Sequence, residues 1–217
     1  VNSLYPSILY NRWLPYGSAV HFDGKYEKDE YRPLYVQQLS CEFDLKKGKI
    51  PSIQIKNNRF YKSNEYLESS GGQEVELTLT NVDLELFFEQ YNVRVKEWCG
   101  GYKFKACKGL FSNYIDYWTE RKIQAKKDGN GGLYKISKIY MNSLYGKFAT
   151  ATRASQKIPV FVDGVLHYKT TEPEEMSAIY IPTASWVTSY GRALVIRTSQ
   201  ALRESLDRKS GSAGMPR

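Results

Sequence analysis

The stretch from Lys135 to Phe148 constrains this chain more than any other. It contains no proline, follows a glycine-rich turn at Asp128 to Gly132, and reads as one helix with Gly146 as its C-terminal punctuation. At about 3.6 residues per turn, Lys135, Lys138, Asn142 and Tyr145 share one stripe, while Ile136, Ile139, Tyr140, Ser143 and Leu144 mostly point elsewhere. Two cations, a carboxamide and a phenol on one stripe suit a ligand with phosphates at one end and a flat base at the other. A nucleotide has that shape. The same spacing also fits a solvated amphipathic helix whose lysines face water.

The charge around this stretch is one-sided. Between Glu120 and Lys157 stand nine cations against two acids, Glu120 and Asp128, within a chain of net charge +8 and pI near 9.2. A polyanionic partner fits such a field. Just upstream, Phe111, Tyr114, Ile115 and Trp118 define an apolar helix face that Arg121 and Lys122 extend. Two antiparallel helices joined at the glycine-rich turn would bring Lys122 toward Lys135 and Lys138, a cationic corner for a triphosphate. Neither a P-loop nor a strand-associated dinucleotide fingerprint occurs, so both of those readings lose their support.

Earlier in the chain the periodicity changes. Val1 to Ser7 read as a strand end turning into a helix over Ile8 to Leu14, with Pro6 suited to the first turn and Tyr5 at the corner. Alternating or β-rich patterns then cover Tyr35 to Leu45, Ile50 to Lys56 and Glu74 to Leu79, with Lys46 to Lys49 as a hairpin loop. Thr80 to Asp83 resembles a capping box launching a helix over Leu84 to Tyr91. A strand from Val93 to Ala106 follows, with Gly100-Gly101 as a turn. Beyond the basic helices, Asp163-Gly164 between Pro159–Val162 and Val165–Tyr168 signals a hairpin. Thr183 to Leu206 reads as a helix, and the polar tail 207–217 as disordered.

Cysteines and hydropathy narrow the class further. Cys41, Cys99 and Cys107 form no C-x-x-C pair, and with only His21 and His167 beside them there is no zinc-ligand pattern. Reduced thiols and a cytoplasmic location are expected, the host cytoplasm if the source is viral. No apolar run approaches the roughly 20 residues that span a bilayer, and no signal peptide precedes Val1, so no membrane role is expected.

The motif K-x-x-x-N-S-x-Y-G, Lys138 to Gly146, resembles the nucleotide-binding fingers helix of B-family DNA polymerases, and the ending N-S-L-Y-G-K-F resembles their protein-primed branch. The opening Ser3-Leu4-Tyr5-Pro6 is similar to the end of the family's motif A, D-x-x-S-L-Y-P, whose aspartate would precede Val1. The strings I-Q-I-K, R-F-Y-K-x-N-E-Y-L and N-V-D-L-E-L look like the family's terminal-protein-binding insertion.

The resemblance implies an α+β fold: a partial polymerase palm with helical fingers and two β-rich insertions. It divides the chain into a palm edge (1–11), the terminal-protein-binding insertion (12–109), fingers (110–149), a β-hairpin arm (150–182), a palm helix (183–206) and the tail. It implies a monomeric DNA-directed DNA polymerase that adds deoxynucleotides to a protein-primed or DNA-primed strand in viral or linear-replicon replication. Its partners would be template-primer DNA, deoxynucleoside triphosphates and a terminal protein, and its cofactor Mg2+ or Mn2+.

Tyr5 becomes a steric gate against the ribose hydroxyl. Lys122, Lys135 and Lys138 take the triphosphate, with Lys138 counted as catalytic, and Asn142 and Tyr145 line the nascent base pair. Ser3, Lys56, Tyr66, Asp83 and Gly146 become candidates for holding DNA or the terminal protein. Val1 would offer a backbone carbonyl to a metal whose aspartate ligands lie outside this chain. By itself this fragment is expected to be inactive; the other reading is a non-catalytic module that binds DNA or terminal protein.

Overall fold

The computed structural model describes residues 4–55, 65–150, 153–175 and 179–212. It divides into two compact units, Val1–Asn113 with Ser185–Arg217, and Tyr114–Ala184. The mixture of helices and antiparallel sheets is the expected α+β class.

The first unit begins with helix α1, Leu4–Asn11, which stops three residues before the expected Leu14; β1 then runs from Trp13 to Phe22. Strands β2 (Leu34–Leu45), β3 (Val75–Thr80) and β4 (Tyr91–Lys108) complete an antiparallel sheet of order β1-β4-β2-β3. The strand expected over Val93–Ala106 is therefore longer at both ends, and Gly100-Gly101 do not turn the chain. They lie inside β4, where its pairing with β2 shifts register between Gln38 and Leu39. A Cβ on Gly101 would stand 1.9 Å from the Val36 carbonyl oxygen, and one on Gly100 2.5 Å from that of Phe22. Glycine here permits close backbone approach, the second meaning of glycine in a strand. Gln37, wholly buried, seals the irregularity: its Nε2 donates to the carbonyls of Gly24 and Gly100 at 2.9 Å, and its Oε1 accepts from the Tyr26 N–H at 2.9 Å.

Helix α2, Asn81–Gln90, packs on this sheet. Thr80 caps it as expected, its hydroxyl accepting from the Asp83 N–H at 3.2 Å. Phe87 and Tyr91 meet Phe43, with ring centroids 5.2–5.3 Å apart, in a core shared with Leu39, Cys41, Val75, Leu77 and Leu84. Ile50 to Lys56 is not the expected strand. Ile53 makes a single bridge to Leu67, and the segment hangs on the buried Tyr91 hydroxyl, which accepts from the Ser52 and Ile53 N–H groups and donates to the Leu67 carbonyl. Lys46 to Lys49 consequently form a turn, with Gly48 at φ 76°, but no ladder follows it.

Helix α5, Ile181–Ser212, closes the first unit and is longer than the expected Thr183–Leu206. Its backbone stays helical through Ser212, so disorder from 207 onward does not hold for 207–212; 213–217 lie outside the described residues. Four side chains along it dock on α2 and on the turn at Lys46 to Lys49. Trp186 Nε1 donates to Asn81 at 2.9 Å, Arg192 pairs with Asp83, Arg197 with Glu85 and Glu89, and Gln200 donates to the Gly48 carbonyl.

The second unit is built on α3, Ser112–Lys127, and α4, Gly131–Phe148. Gly129 at φ 67° turns the chain, and Asn130 caps α4 by accepting from the Leu133 N–H at 3.0 Å. Trp118 stacks on Tyr140 with centroids 4.6 Å apart, and the Tyr114 hydroxyl donates to the Tyr140 carbonyl at 2.9 Å. Gly146 does not end α4; the helix passes through it to Phe148. Downstream, β6 (Lys157–Val162) and β7 (Val165–Thr170) form the expected hairpin, with Asp163 at φ 52° and Gly164 at φ 76° in its two-residue turn. Arg153–Ala154 (β5) and Glu174–Glu175 (β8) pair beneath it. No helix among the described residues is long and apolar enough to cross a membrane.

Candidate functional site

In the second unit, Lys135, Lys138 and Asn142 line one shallow concavity of about 560 Å³ with Ile139 and Ser143. The period of the helix brings three of the four stripe residues together, as the sequence implied. Ile139 and Ser143 join them, although the spacing sent these two mostly elsewhere, because a shallow hollow spans more than one row of a helix. Tyr145 is half-buried and Lys122 sits on α3; neither lines the concavity. Lys135 and Lys138 are exposed and make no ion pair with the described residues, whereas Lys96, Lys103, Arg192 and Arg197 all pair with carboxylates. Two unpaired cations, a carboxamide and an apolar floor can bind an anion and hydrogen-bond a planar polar group beside it. Gly146 is exposed, with nothing within 4 Å of where a Cβ would stand.

In the first unit, Tyr5 projects from the first turn of α1, where buried Pro6 also sits. Tyr5 and Tyr66 line a cavity of about 510 Å³ with Leu4, Thr188 and Arg192. Tyr66, half-exposed, also lines a second cavity of about 470 Å³ with Glu76, Asp83 and Arg192. The structure thus gathers Tyr5, Tyr66 and Asp83 around Arg192.

Asp83 is committed to the fold. Its carboxylate pairs with Arg192 and lies 2.6 Å from the Ser189 hydroxyl, and its side chain is only 11% exposed. Sequence reasoning missed Arg192 and Thr188. The only local signal was a cation within an otherwise apolar helical stripe, and its partner lies more than a hundred residues away.

Val1, Ser3 and Lys56 lie outside the described residues. Among the described residues no group of three or more His, Cys, Asp or Glu side chains could hold a metal ion. The described residues therefore do not by themselves supply a ligand set for Mg2+ or Mn2+.

Residues 1–208 match the family model of DNA polymerase type B, organellar and viral. The chain belongs to that family. It is 46% identical over 202 residues to the DNA polymerase of Bacillus phage phi29, covering 93% of this chain and 34% of that protein. It is 31% identical over 206 residues to the DNA polymerase of Streptococcus phage Cp-1, covering 92% of this chain and 36% of that one. The phi29 DNA polymerase solved as a ternary complex with primer-template DNA and incoming nucleotide superposes with a TM-score of 0.83, at 45% identity, over 94% of this chain and 35% of that structure. The binary complex with primer-template DNA gives 0.80. The chain thus spans about a third of the length of the curated relatives it matches.

Proposed function

We propose that this chain is the palm-edge, insertion and fingers part of a template-directed DNA polymerase that extends a protein-primed or DNA-primed strand with deoxynucleoside triphosphates. One observation carries the reading: Lys135, Lys138 and Asn142 share one concavity, and both lysines are exposed there without an ion pair to the described residues. A triphosphate is the counter-charge such a helix lacks. Similarity to a phi29 polymerase solved with primer-template DNA and incoming nucleotide supports the same assignment.

In this reading Lys135 and Lys138 hold phosphate oxygens, each charge-assisted hydrogen bond contributing on the order of 1.5–3 kcal/mol. Lys122 joins them from α3, and Asn142 and Tyr145 bound the nascent base pair. Tyr5 presents its ring to the sugar and leaves no volume for a 2′-hydroxyl. Gly146, open to approach, lets a nucleic-acid backbone come close to α4. Tyr66, Ser3 and Lys56 are assigned to binding DNA or a terminal protein. Mg2+ or Mn2+ would neutralise charge at the transferred phosphate in the complete enzyme. The place of action is the host cytoplasm.

The test is primer extension by this chain joined to family segments that supply the metal-binding carboxylates and the thumb, with Mg2+, primed template and all four nucleotides. Lys138→Ala should raise the nucleotide KM about tenfold to a hundredfold, the equivalent of one lost charge-assisted bond. An unchanged KM removes Lys138 from that role. Failure of extension with DNA or terminal-protein binding retained would instead assign a non-catalytic binding module.

A further inference from the structure

We propose that the α3–α4 hairpin carries a site for single-stranded DNA on a flank away from the nucleotide concavity: a stacking surface formed by Tyr140, Trp118 and Tyr117 with Arg121. Lys138 and Tyr140 are two positions apart on α4, about 200° around the helix, so the concavity and this flank lie on different sides of it. The inference does not depend on which residues hold an incoming triphosphate.

The rings form one continuous group. Trp118 of α3 lies parallel to Tyr140 of α4, with centroids 4.6 Å apart and planes inclined by 4°. Tyr117 meets Trp118 at 5.1 Å in a T-shaped contact, and the Arg121 guanidinium stands over the Tyr117 ring at 4.5 Å. Tyr114 ties the two helices together at this point, its ring T-shaped to Trp118 at 6.3 Å and its hydroxyl donating to the Tyr140 carbonyl at 2.9 Å. The rings are therefore placed before any ligand arrives, which lowers the ordering cost of binding.

Packing alone does not account for them. Phe43, Phe87 and Tyr91, the aromatic groups of the sheet core, are no more than 1% exposed, whereas Tyr140 is 50% and Tyr117 48% exposed. Among the described residues, Trp118 is the only ring against Tyr140. Since Trp118 covers one face, the exposure of Tyr140 belongs to its edge and its other face. A base laid there extends the stack that Trp118 begins, and every base has such a face to offer. Duplex bases already have both faces stacked, so an unpaired strand is the form that fits. The charge suits a nucleic acid: Arg121 is exposed and makes no ion pair with the described residues, and cations outnumber acids nine to two between Glu120 and Lys157. Exposed rings beside a free guanidinium combine base stacking with phosphate contact.

The test uses this chain within a complete polymerase. Fluorescence anisotropy measures binding of a labelled oligothymidylate and of an abasic oligomer of the same length, which keeps the phosphates and lacks the bases. Tyr140→Leu should weaken binding of the oligothymidylate about fivefold to a hundredfold and leave the abasic oligomer within about twofold, while Tyr140→Phe keeps the ring and the affinity. Arg121→Gln should weaken both oligomers alike and make their salt dependence less steep. Tyr140→Leu acting on both oligomers equally, or on neither, overturns the inference, as does loss of binding in Tyr140→Phe.

A second measurement needs no variant. Irradiation of the unaltered protein with single-stranded DNA containing 5-iododeoxyuridine should join the modified base to Tyr140 or Tyr117, located by mass spectrometry of the peptides. Adducts found only on other residues, those of the Lys135 and Lys138 concavity included, put the strand elsewhere and overturn the inference while leaving the nucleotide reading intact.

Discussion

Gly101 in the first unit and Gly146 in the second lie in a strand and a helix of the same chain, and their surroundings could hardly differ more. A Cβ on Gly101 would overlap the Val36 carbonyl at 1.9 Å, while one on Gly146 would meet nothing within 4 Å. Charges differ in the same way. Arg192, Arg197, Lys96 and Lys103 are paired within the first unit, whereas Lys135 and Lys138 are left unpaired by the described residues. So do apolar groups: α2 buries Val82, Leu84, Leu86 and Phe87, but α4 buries only Ser137 and Met141 and leaves Ile136 and Ile139 half or more exposed. In these groups the first unit uses its side chains for its own fold, and α4 holds them out. In the reading proposed above, the phosphates of a nucleotide therefore fall to α4 and not to the sheet.

The largest effect expected from this contrast is at Gly101. Gly101→Ala forces a methyl against backbone that cannot rotate away, and should cost more than about 3 kcal/mol, read as loss of the cooperative unfolding of the first unit. A well-folded Gly101→Ala protein would contradict the close approach. Next comes Phe87→Ala, expected to cost about 3–5 kcal/mol in denaturant unfolding, against less than about 0.5 kcal/mol for Ile139→Ala in α4. Similar costs for the two would erase the contrast between a packed unit and a presenting one.

Gly146→Ala should stabilise α4 by about 0.5–1 kcal/mol, since the helix gains a better former and no clash. If the same variant weakens DNA binding, close approach of a nucleic acid explains why a glycine stands there. Loss of stability would show an unseen contact.

The smallest effect expected is with pH. The hydrogen bond from Lys96 holds the Glu42 carboxyl below its ordinary value, and that from Lys103 does the same for Asp29. A carboxyl whose folded value is depressed contributes stability above its unfolded value, lost as pH falls through the folded one. Acidification from pH 5 downward should therefore loosen β2 and β4 first, as followed by hydrogen exchange, and Glu42→Gln should flatten that acid limb. The opposite trend in Glu42→Gln would remove the ion pair from the account.

Local chemistry made some elements legible without a structure. The Thr80 cap, the Asn130 turn into α4 and the Asp163-Gly164 hairpin depend on residues within four positions of one another, and each forms where the sequence placed it. Long-range partners decided the rest. Ile50 to Ile55 has a strand-like composition, yet it hangs on the hydroxyl of Tyr91, some forty residues away. Gly100-Gly101 looks like a turn by itself and becomes a mid-strand irregularity only because β1 and β2 lie on either side of it.

The same division separates the two parts of the site. The cationic stripe of α4 follows from helical period alone, so Lys135, Lys138 and Asn142 could be grouped from sequence, and the resemblance to a polymerase family rested on those residues. What sequence could not contain was the setting of Tyr5. Its neighbours Gly191 and Arg192 come from the far end of the chain, and Arg192 reaches Asp83 only because α5 docks on the capped start of α2. Periodicity determines which residues share a face of one element. Which faces then meet is decided by packing between elements, and that belongs to the tertiary structure alone.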